Sequence, residues 1–230
     1  MSDKLGVFGK IPAHGDFIQR NVDSAFLAPW DEWLQRCVTS SKEILDYRWL
    51  DVYLTSPIWR FVLTAGVVDK RCWAGILLPS VDSVGRYFPL SIVLPLPENT
   101  NVFMFQMDNE LWFSRIEEAA LSTLNNSLEV DELLEALRFS REHLTPAPAV
   151  KTKPVLEEGA RIAVGRSGDI RTSYPNLLLA LFEKQFSSYS LWWSLGSQMM
   201  PATNFTTPAL PQPNRYSAML DGSWFGQMSW

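Results

Sequence analysis

The stretch GVFGKIPAHGDFIQR, residues 6–20, gathers most of the unusual residues of this 230-residue chain. It holds glycines, a proline, one of the two histidines of the chain, and an aspartate. Its opening apolar run, stopped by glycine, predicts a first strand followed by a loop. Three interpretations of that loop are considered: a phosphate-binding loop, a catalytic His-Asp pair, or a tight turn that fixes the fold.

The order of residues in the loop argues against a phosphate site. A phosphate-binding loop needs G-x-x-x-x-G-K-[ST] ahead of a helix, so that backbone N–H groups and the lysine converge. Here Gly9 and Lys10 come before Gly15, and the carboxylate of Asp16 would repel a phosphate. We therefore expect no nucleotide at this position.

A catalytic role for the loop is also weakly supported. His14 and Asp16 could share a hydrogen bond, which would be half of a catalytic triad. The chain has no G-x-S-x-G nucleophile elbow, however, and a lone His-x-Asp is unspecific. A solvated or capping histidine is favoured, and the alternative is a small hydrolase or phosphatase-like enzyme that uses His14 and Asp16 near Arg86.

Composition excludes several classes of function. The chain carries 25 acids against 20 bases, a net charge of −5, and has no basic run, so nucleic acid is not expected as a partner. Cys37, Cys72 and the two histidines show no metal-ligand spacing, and neither a metal nor a cofactor is expected. The N-terminus lacks a signal-peptide pattern, and no apolar run reaches membrane-spanning length, which predicts a soluble cytoplasmic protein that is not membrane-inserted.

Hydrophobic periodicity predicts an α/β fold. Asp23 or Ser24 is expected to cap a first helix, and Cys72–Leu78 with Tyr87–Leu94 forms an antiparallel hairpin whose second strand contains Pro89. The remaining predicted elements are strands at Ile58–Ala65, Arg161–Val164 and Ser190–Ser194, and helices from Asp108 or Asn109, at Asp131–Arg138 and at Pro175–Phe186. They suggest one αβα sandwich over residues 1–230, with a mixed, largely antiparallel sheet and proline-rich surface connections at 145–154 and 200–213.

Two pairs of neighbouring residues are interpreted from geometry alone. Glu117 and Glu118 lie on a predicted helix, where adjacent side chains point apart, and both are expected to be solvated. Trp192 and Trp193 lie in a predicted strand and point to opposite faces. Whichever of the two faces away from the core is a candidate interface residue, together with the C-terminal aromatics Trp224 and Phe225.

Four segments together resemble the TagF family, accessory proteins of bacterial type VI secretion systems. They are the opening GVFGKIPAHGDFIQR, PWDEWLQ at Pro29–Gln35, VGRYFPL at Val84–Leu90 and SLWWSLG at Ser190–Gly196. The resemblance implies a longin-like αβ sandwich and a stand-alone, non-enzymatic repressor of secretion. Its implied partner is the forkhead-associated (FHA) scaffold protein, which it would hold out of the assembling apparatus. No catalytic residues carry over from the family.

In this interpretation the opening loop is a fold signature, and Asp16 with Arg86 is the favoured internal ion pair. The residues expected to form the signature are Gly9, Lys10, Pro12, Gly15, Asp16, Phe17, Gly85, Arg86 and Pro89.

Overall fold

The computed structural model describes residues 4–126, 128–146 and 173–224. Its strands are β1 (Gly6–Gly9), β2 (Ile18–Arg20), β3 (Trp59–Leu63), β4 (Cys72–Leu78), β5 (Leu90–Leu96), β6 (Tyr189–Ser194) and β7 (Thr203–Pro208). They form one sheet in the order β2-β1-β5-β4-β3-β6-β7. Each pairing in it is antiparallel, so the sheet expected to be largely antiparallel is antiparallel throughout.

Helices cover both faces of the sheet. They are α1 (Ser24–Leu45), α2 (Trp49–Thr55), α3 (Val102–Asp108), α4 (Glu110–Asn126), α5 (Val130–Ser140), α6 (Tyr174–Gln185) and α7 (Tyr216–Asp221). One apolar core unites α1, α2 and α7 with one face, and a second core unites α3 to α6 with the other. The predicted αβα arrangement is therefore confirmed. Within the described ranges, no helix has the length and apolarity needed to span a membrane.

Helix α1 forms where its periodicity predicts. The Asp23 side chain caps the helix by accepting a hydrogen bond from the Phe26 N–H at 3.2 Å. Trp30, Leu34 and Cys37 then recur at helical spacing and are fully buried against the sheet.

The predicted hairpin is present, but its second strand begins later than expected. β4 has the predicted bounds, whereas β5 starts at Leu90, and Pro89 lies just before it. β5 is hydrogen-bonded on both sides, to β1 and to β4. A proline cannot donate to such a ladder, so the expectation of Pro89 inside an edge or bulged strand is wrong.

Neither candidate tryptophan of β6 is an exposed anchor. Trp192 and Trp193 do point to opposite faces, but Trp192 is 0% exposed and Trp193 only 9% exposed. Trp192 packs among the rings under α1, and Trp193 packs edge-to-face on Phe113 of α4 at 4.7 Å between centroids. Both are core residues because both faces of the sheet are covered by helices.

The C-terminal part of the chain also differs from expectation. Residues 200–213 contain strand β7. Pro201 precedes this strand and Pro208 is its last residue, so the Thr- and Phe-containing middle is free to pair with β6. Trp224 is half-buried and packs on Trp59 and Phe205. Phe225, the predicted strand Arg161–Val164 and most of the predicted connection 145–154 lie outside the described residues.

A buried arginine joins the centre of the sheet to α4. Arg60 of β3 is fully buried, and its Nε and Nη2 donate to the two carboxylate oxygens of Glu117 at 2.7 and 2.8 Å. Its Nη1 lies 2.7 Å from the carboxylate of Glu110, which is more exposed. Glu117 is only 14% exposed, so the expectation that Glu117 and Glu118 are both solvated is wrong for Glu117. Glu118 instead pairs with Arg115 at the surface, at 2.8 Å.

These adjacent glutamates allow a matched test of burial. Glu117→Ala leaves a buried guanidinium short of two charged hydrogen bonds, and we expect it to lower the free energy of unfolding by about 2–3 kcal/mol. Glu118→Ala removes an exposed pair and should cost less than about 1 kcal/mol. Urea unfolding of the two variants and the parent chain measures both values. Equal losses would show that Arg60 does not depend on Glu117.

Candidate functional site

The opening motif forms a hairpin rather than a strand-to-helix loop. Residues 18–20, for which no strand was predicted, form β2 and pair back on β1, so residues 10–17 connect two antiparallel strands. Pro12 occupies the second position of a turn in which the His14 N–H donates to the Ile11 carbonyl at 3.1 Å. Proline suits that position because its ring fixes the required φ.

Two signature glycines are required by the backbone. Gly9 has φ = 134°, and a Cβ there would overlap the carbonyl oxygen of Pro89, so only glycine allows β1 and this residue to approach so closely. Gly85 has φ = 83° and closes a turn by donating its N–H to the Asp82 carbonyl at 3.0 Å. The two glycines thus bring loop 10–17 and the turn 82–86 together.

Asp82 is the centre of this junction. Its side chain is fully shielded from solvent, and its Oδ2 accepts from Lys10 Nζ at 2.6 Å and from Arg86 Nε at 2.7 Å. Its Oδ1 accepts the backbone N–H groups of Val84 and Arg86 at 3.1 and 2.8 Å. Asp82 was not among the residues predicted from the sequence, although an aspartate that opens a glycine-containing turn is a signal for such a role.

The favoured pair Asp16–Arg86 exists, but it is not internal. Arg86 Nη2 lies 3.5 Å from Asp16 Oδ1, and the Asp16 side chain is fully exposed. Arg86 is held more closely by Asp82 and by a hydrogen bond from its Nη2 to the Gly15 carbonyl. The internal ion pair of the junction is instead Lys10–Asp82, with side chains 6% and 0% exposed.

His14 and Asp16 are held by different partners. His14 Nε2 lies 2.8 Å from Glu129 Oε2 at the start of α5, whereas Asp16 faces Arg86. Among residues 4–126, 128–146 and 173–224, no three His, Cys, Asp or Glu side chains are grouped as a metal site requires. Cys37 and Cys72 are free, buried, and in different cores.

Phe17 covers the junction on its solvent side. Its ring stacks on Phe8 at 5.9 Å, meets Phe88 edge-on at 4.9 Å, and lies 5.0 Å from Lys10 Nζ. Half of Phe17 remains exposed. The ring therefore shields the Lys10–Asp82 pair from water and also contributes apolar area to the surface.

Hydrogen bonds extend from the junction to α2. Ser80 Oγ donates to the Lys10 carbonyl at 2.6 Å, and the Ser80 N–H donates to the Tyr53 hydroxyl at 3.0 Å. The Tyr53 O–H in turn donates to the Ser80 carbonyl at 3.1 Å. Burial raises the pKa of Tyr53, which remains a neutral donor. Trp49 stacks on Tyr53 at 4.7 Å and donates to Ser41 of α1, so the inner face of α2 is fixed at both ends.

The outer face of α2 carries a row of exposed apolar side chains beside the exposed Asp51. Tyr47, in the turn before the helix, is 87% exposed, and Leu50 and Leu54 are 37% and 51% exposed. Their spacing of three and four residues places them in one row on the helix surface. No helix was predicted for residues 46–55. The sequence signal for it is this second apolar row, which accompanies the buried row of Trp49, Val52 and Tyr53.

The pKa of Asp82 gives this junction a testable pH dependence. Burial alone would raise the pKa of Asp82, but the hydrogen bonds from Lys10, Arg86 and Val84 outweigh it and hold the pKa well below its ordinary value. A carboxylate with a depressed folded-state pKa stabilises the fold above the unfolded-state pKa of about 4, and this contribution is lost as the pH falls further.

We therefore expect Asp82→Asn to lower the Tm at neutral pH, and the difference from the parent chain to shrink as the pH falls below about 4. Asp16→Asn, which alters an exposed pair with the same arginine, is the control and should leave the Tm nearly unchanged. Thermal melts across this pH range measure both. A difference for Asp82→Asn that stays constant with pH would contradict the assignment.

Comparison with known proteins identifies the family. The sequence profile of the TagF N-terminal domain, type VI secretion system-associated, matches residues 6–139. The fold is similar to the 2.05 Å crystal structure of PA0076 from Pseudomonas aeruginosa PAO1, with a TM-score of 0.79 and 32% identity over 95% of this chain and 94% of that chain. The search of curated proteins gives no match. The profile covers more than half of the chain, and the chain therefore belongs to the TagF family of type VI secretion system-associated proteins.

Proposed function

We propose that this protein is a non-enzymatic, cytoplasmic negative regulator of type VI secretion. It acts by binding the FHA scaffold protein and holding it out of the assembling apparatus. Family membership supports the connection with type VI secretion. The single observation that carries a binding role is the exposed apolar row formed by Tyr47, in the turn before α2, and by Leu50 and Leu54 on α2.

The row has the properties of a protein-binding surface. Interface energy concentrates on a few aromatic and apolar anchors, each of which contributes about 2 kcal/mol or more on truncation. Tyr47 presents its ring to solvent, while the inner face of the same segment is fixed to Ser41 and Ser80. A surface that is already ordered loses little conformational entropy on binding. This row replaces Trp192 and Trp193, which are buried, as the candidate interface.

We expect the purified chain to bind the purified FHA scaffold protein of the same bacterium. Tyr47→Ala combined with Leu54→Ala should weaken binding about 30-fold or more, because 2 kcal/mol corresponds to that factor in Kd. Isothermal titration calorimetry gives the affinity, and a thermal melt of each variant confirms folding.

Phe139→Ala is the matched control. Phe139 is 62% exposed on α5, which belongs to the opposite helical layer, and its loss should leave the affinity for the scaffold unchanged. Full affinity in a folded Tyr47→Ala/Leu54→Ala variant would mean that the interface lies elsewhere. Absence of binding by the parent chain would show that the FHA scaffold is not the partner.

We also expect no hydrolysis of p-nitrophenyl phosphate or p-nitrophenyl acetate. His14 contacts Glu129, and Asp16 is exposed beside Arg86, so the two groups are not held as an acid–base pair. The measurement is absorbance of released p-nitrophenol with the parent chain and with His14→Ala. Turnover that disappears in His14→Ala would favour the hydrolase alternative.

A further inference from the structure

A pocket of about 540 Å³ opens between the beginning of β1 and helix α5. This volume lies in the range of ligand sites in proteins. Lys4 and Leu5 precede β1 on one side, and Asn21 follows β2. The Asn21 side chain donates to the Leu5 carbonyl at 3.1 Å, which holds these two segments together as one wall. This wall of the pocket therefore consists of two backbone segments that are hydrogen-bonded to each other.

The pocket has an apolar floor and a charged rim. Leu5 and Leu137 line it and are only 5% and 1% exposed, so they lie at its base. Lys4, Arg138 and Arg141 also line it, and all three are exposed. Arg138 follows Leu137 on α5, and Arg141 follows one turn later, so both guanidinium groups are carried by the helix face that forms this wall.

The rim is positively charged, whereas the whole chain has a net charge of −5. Arg138 is partly compensated by Glu135 at 3.0 Å, in a pair that is exposed on both sides. None of the ion pairs formed among the described residues includes Arg141. Cations at a helix C-terminus complement its dipole, which accounts for Arg138 and Arg141.

We propose that this pocket binds an acidic peptide segment of a partner protein. Guanidinium groups bind carboxylates through paired, charge-assisted hydrogen bonds, so Arg138 and Arg141 suit glutamate or aspartate side chains of the peptide. The leucine floor accepts one apolar side chain between those acids. β2 is the last strand on this side of the sheet, and its end at Asn21 lines the pocket, so an extended peptide can lie along its edge.

Other anionic macromolecules fit these observations less well. A nucleic acid requires an extended track of cations along its phosphates, whereas the chain as a whole is acidic and the cations are confined to one rim. The apolar base formed by Leu5 and Leu137 suits a peptide side chain better than a phosphate. The proposal is independent of scaffold binding by α2, because Leu5 and Leu137 belong to the core on the opposite face of the sheet.

The test uses the full chain and a fluorescein-labelled peptide Glu-Glu-Leu-Glu-Glu, with binding followed by fluorescence anisotropy. We expect binding that weakens as salt is raised and that falls about tenfold or more in the double variant Arg138→Gln/Arg141→Gln. Arg115→Gln is the matched control, because Arg115 is also paired with a glutamate three residues away on an exposed helix surface, outside the pocket. Thermal melts confirm that both variants are folded.

Three outcomes would overturn the proposal. The first is equal affinity of the double variant and the parent chain for the peptide. The second is equal binding of the uncharged peptide Gln-Gln-Leu-Gln-Gln, since the cationic rim would then contribute nothing. The third is binding of inorganic phosphate that depends on Arg138 and Arg141 without binding of the peptide, which would make the pocket a site for small anions.

Discussion

The buried carboxylate of Asp82 is the group on which the arrangement of the opening hairpin depends. A carboxylate removed from water is costly unless cations and N–H groups satisfy it. Lys10 and Arg86 supply the cations, and the turn 82–86 supplies two N–H groups. Lys10 must therefore reach the same point whenever the chain folds, which fixes loop 10–17 against the turn that precedes β5. Gly9 allows this approach because a side chain there would meet Pro89.

Hydrogen bonds connect this junction to α2, whose outer face lies at the surface of the protein. Ser80 connects the Lys10 carbonyl to the Tyr53 hydroxyl, and Tyr53 is on the inner face of α2. The outer face of the same helix carries Leu50 and Leu54, which lie in one row with Tyr47 from the turn before the helix. The signature residues therefore need no contact with a partner in order to matter for binding. They hold α2 in place through Ser80 and Tyr53, so under the proposed function a polar, glycine-rich motif supports binding without being catalytic.

The sequence predicted elements that show a clear repeated apolar spacing, and it failed for β2 and α2. α1, β4 and α6 each show a repeated apolar spacing, and each lies close to its predicted position. β2 has three residues, which is too few for a period to emerge, and the seven residues of α2 belong to two apolar rows, one buried and one exposed, which hide a single periodic face. The Lys10–Asp82 pair joins residues 72 positions apart, and no local pattern reports it. Glu117 and Glu118 are chemically identical neighbours, and only the position of Arg60 beneath the helix distinguishes them.

The two neighbouring tryptophans of β6 show why residue type alone could not identify the interface. Strand alternation placed Trp192 and Trp193 on opposite faces, but a sheet that is covered by helices on both faces buries both. Most of the aromatic side chains are thus buried in the two cores. The surfaces that remain for partners are the outer faces of helices and the pockets beside them. The α2 row and the α5 pocket lie on opposite layers, separated by the sheet. Because no side chain is shared between them, a substitution in one surface leaves the residues of the other unchanged.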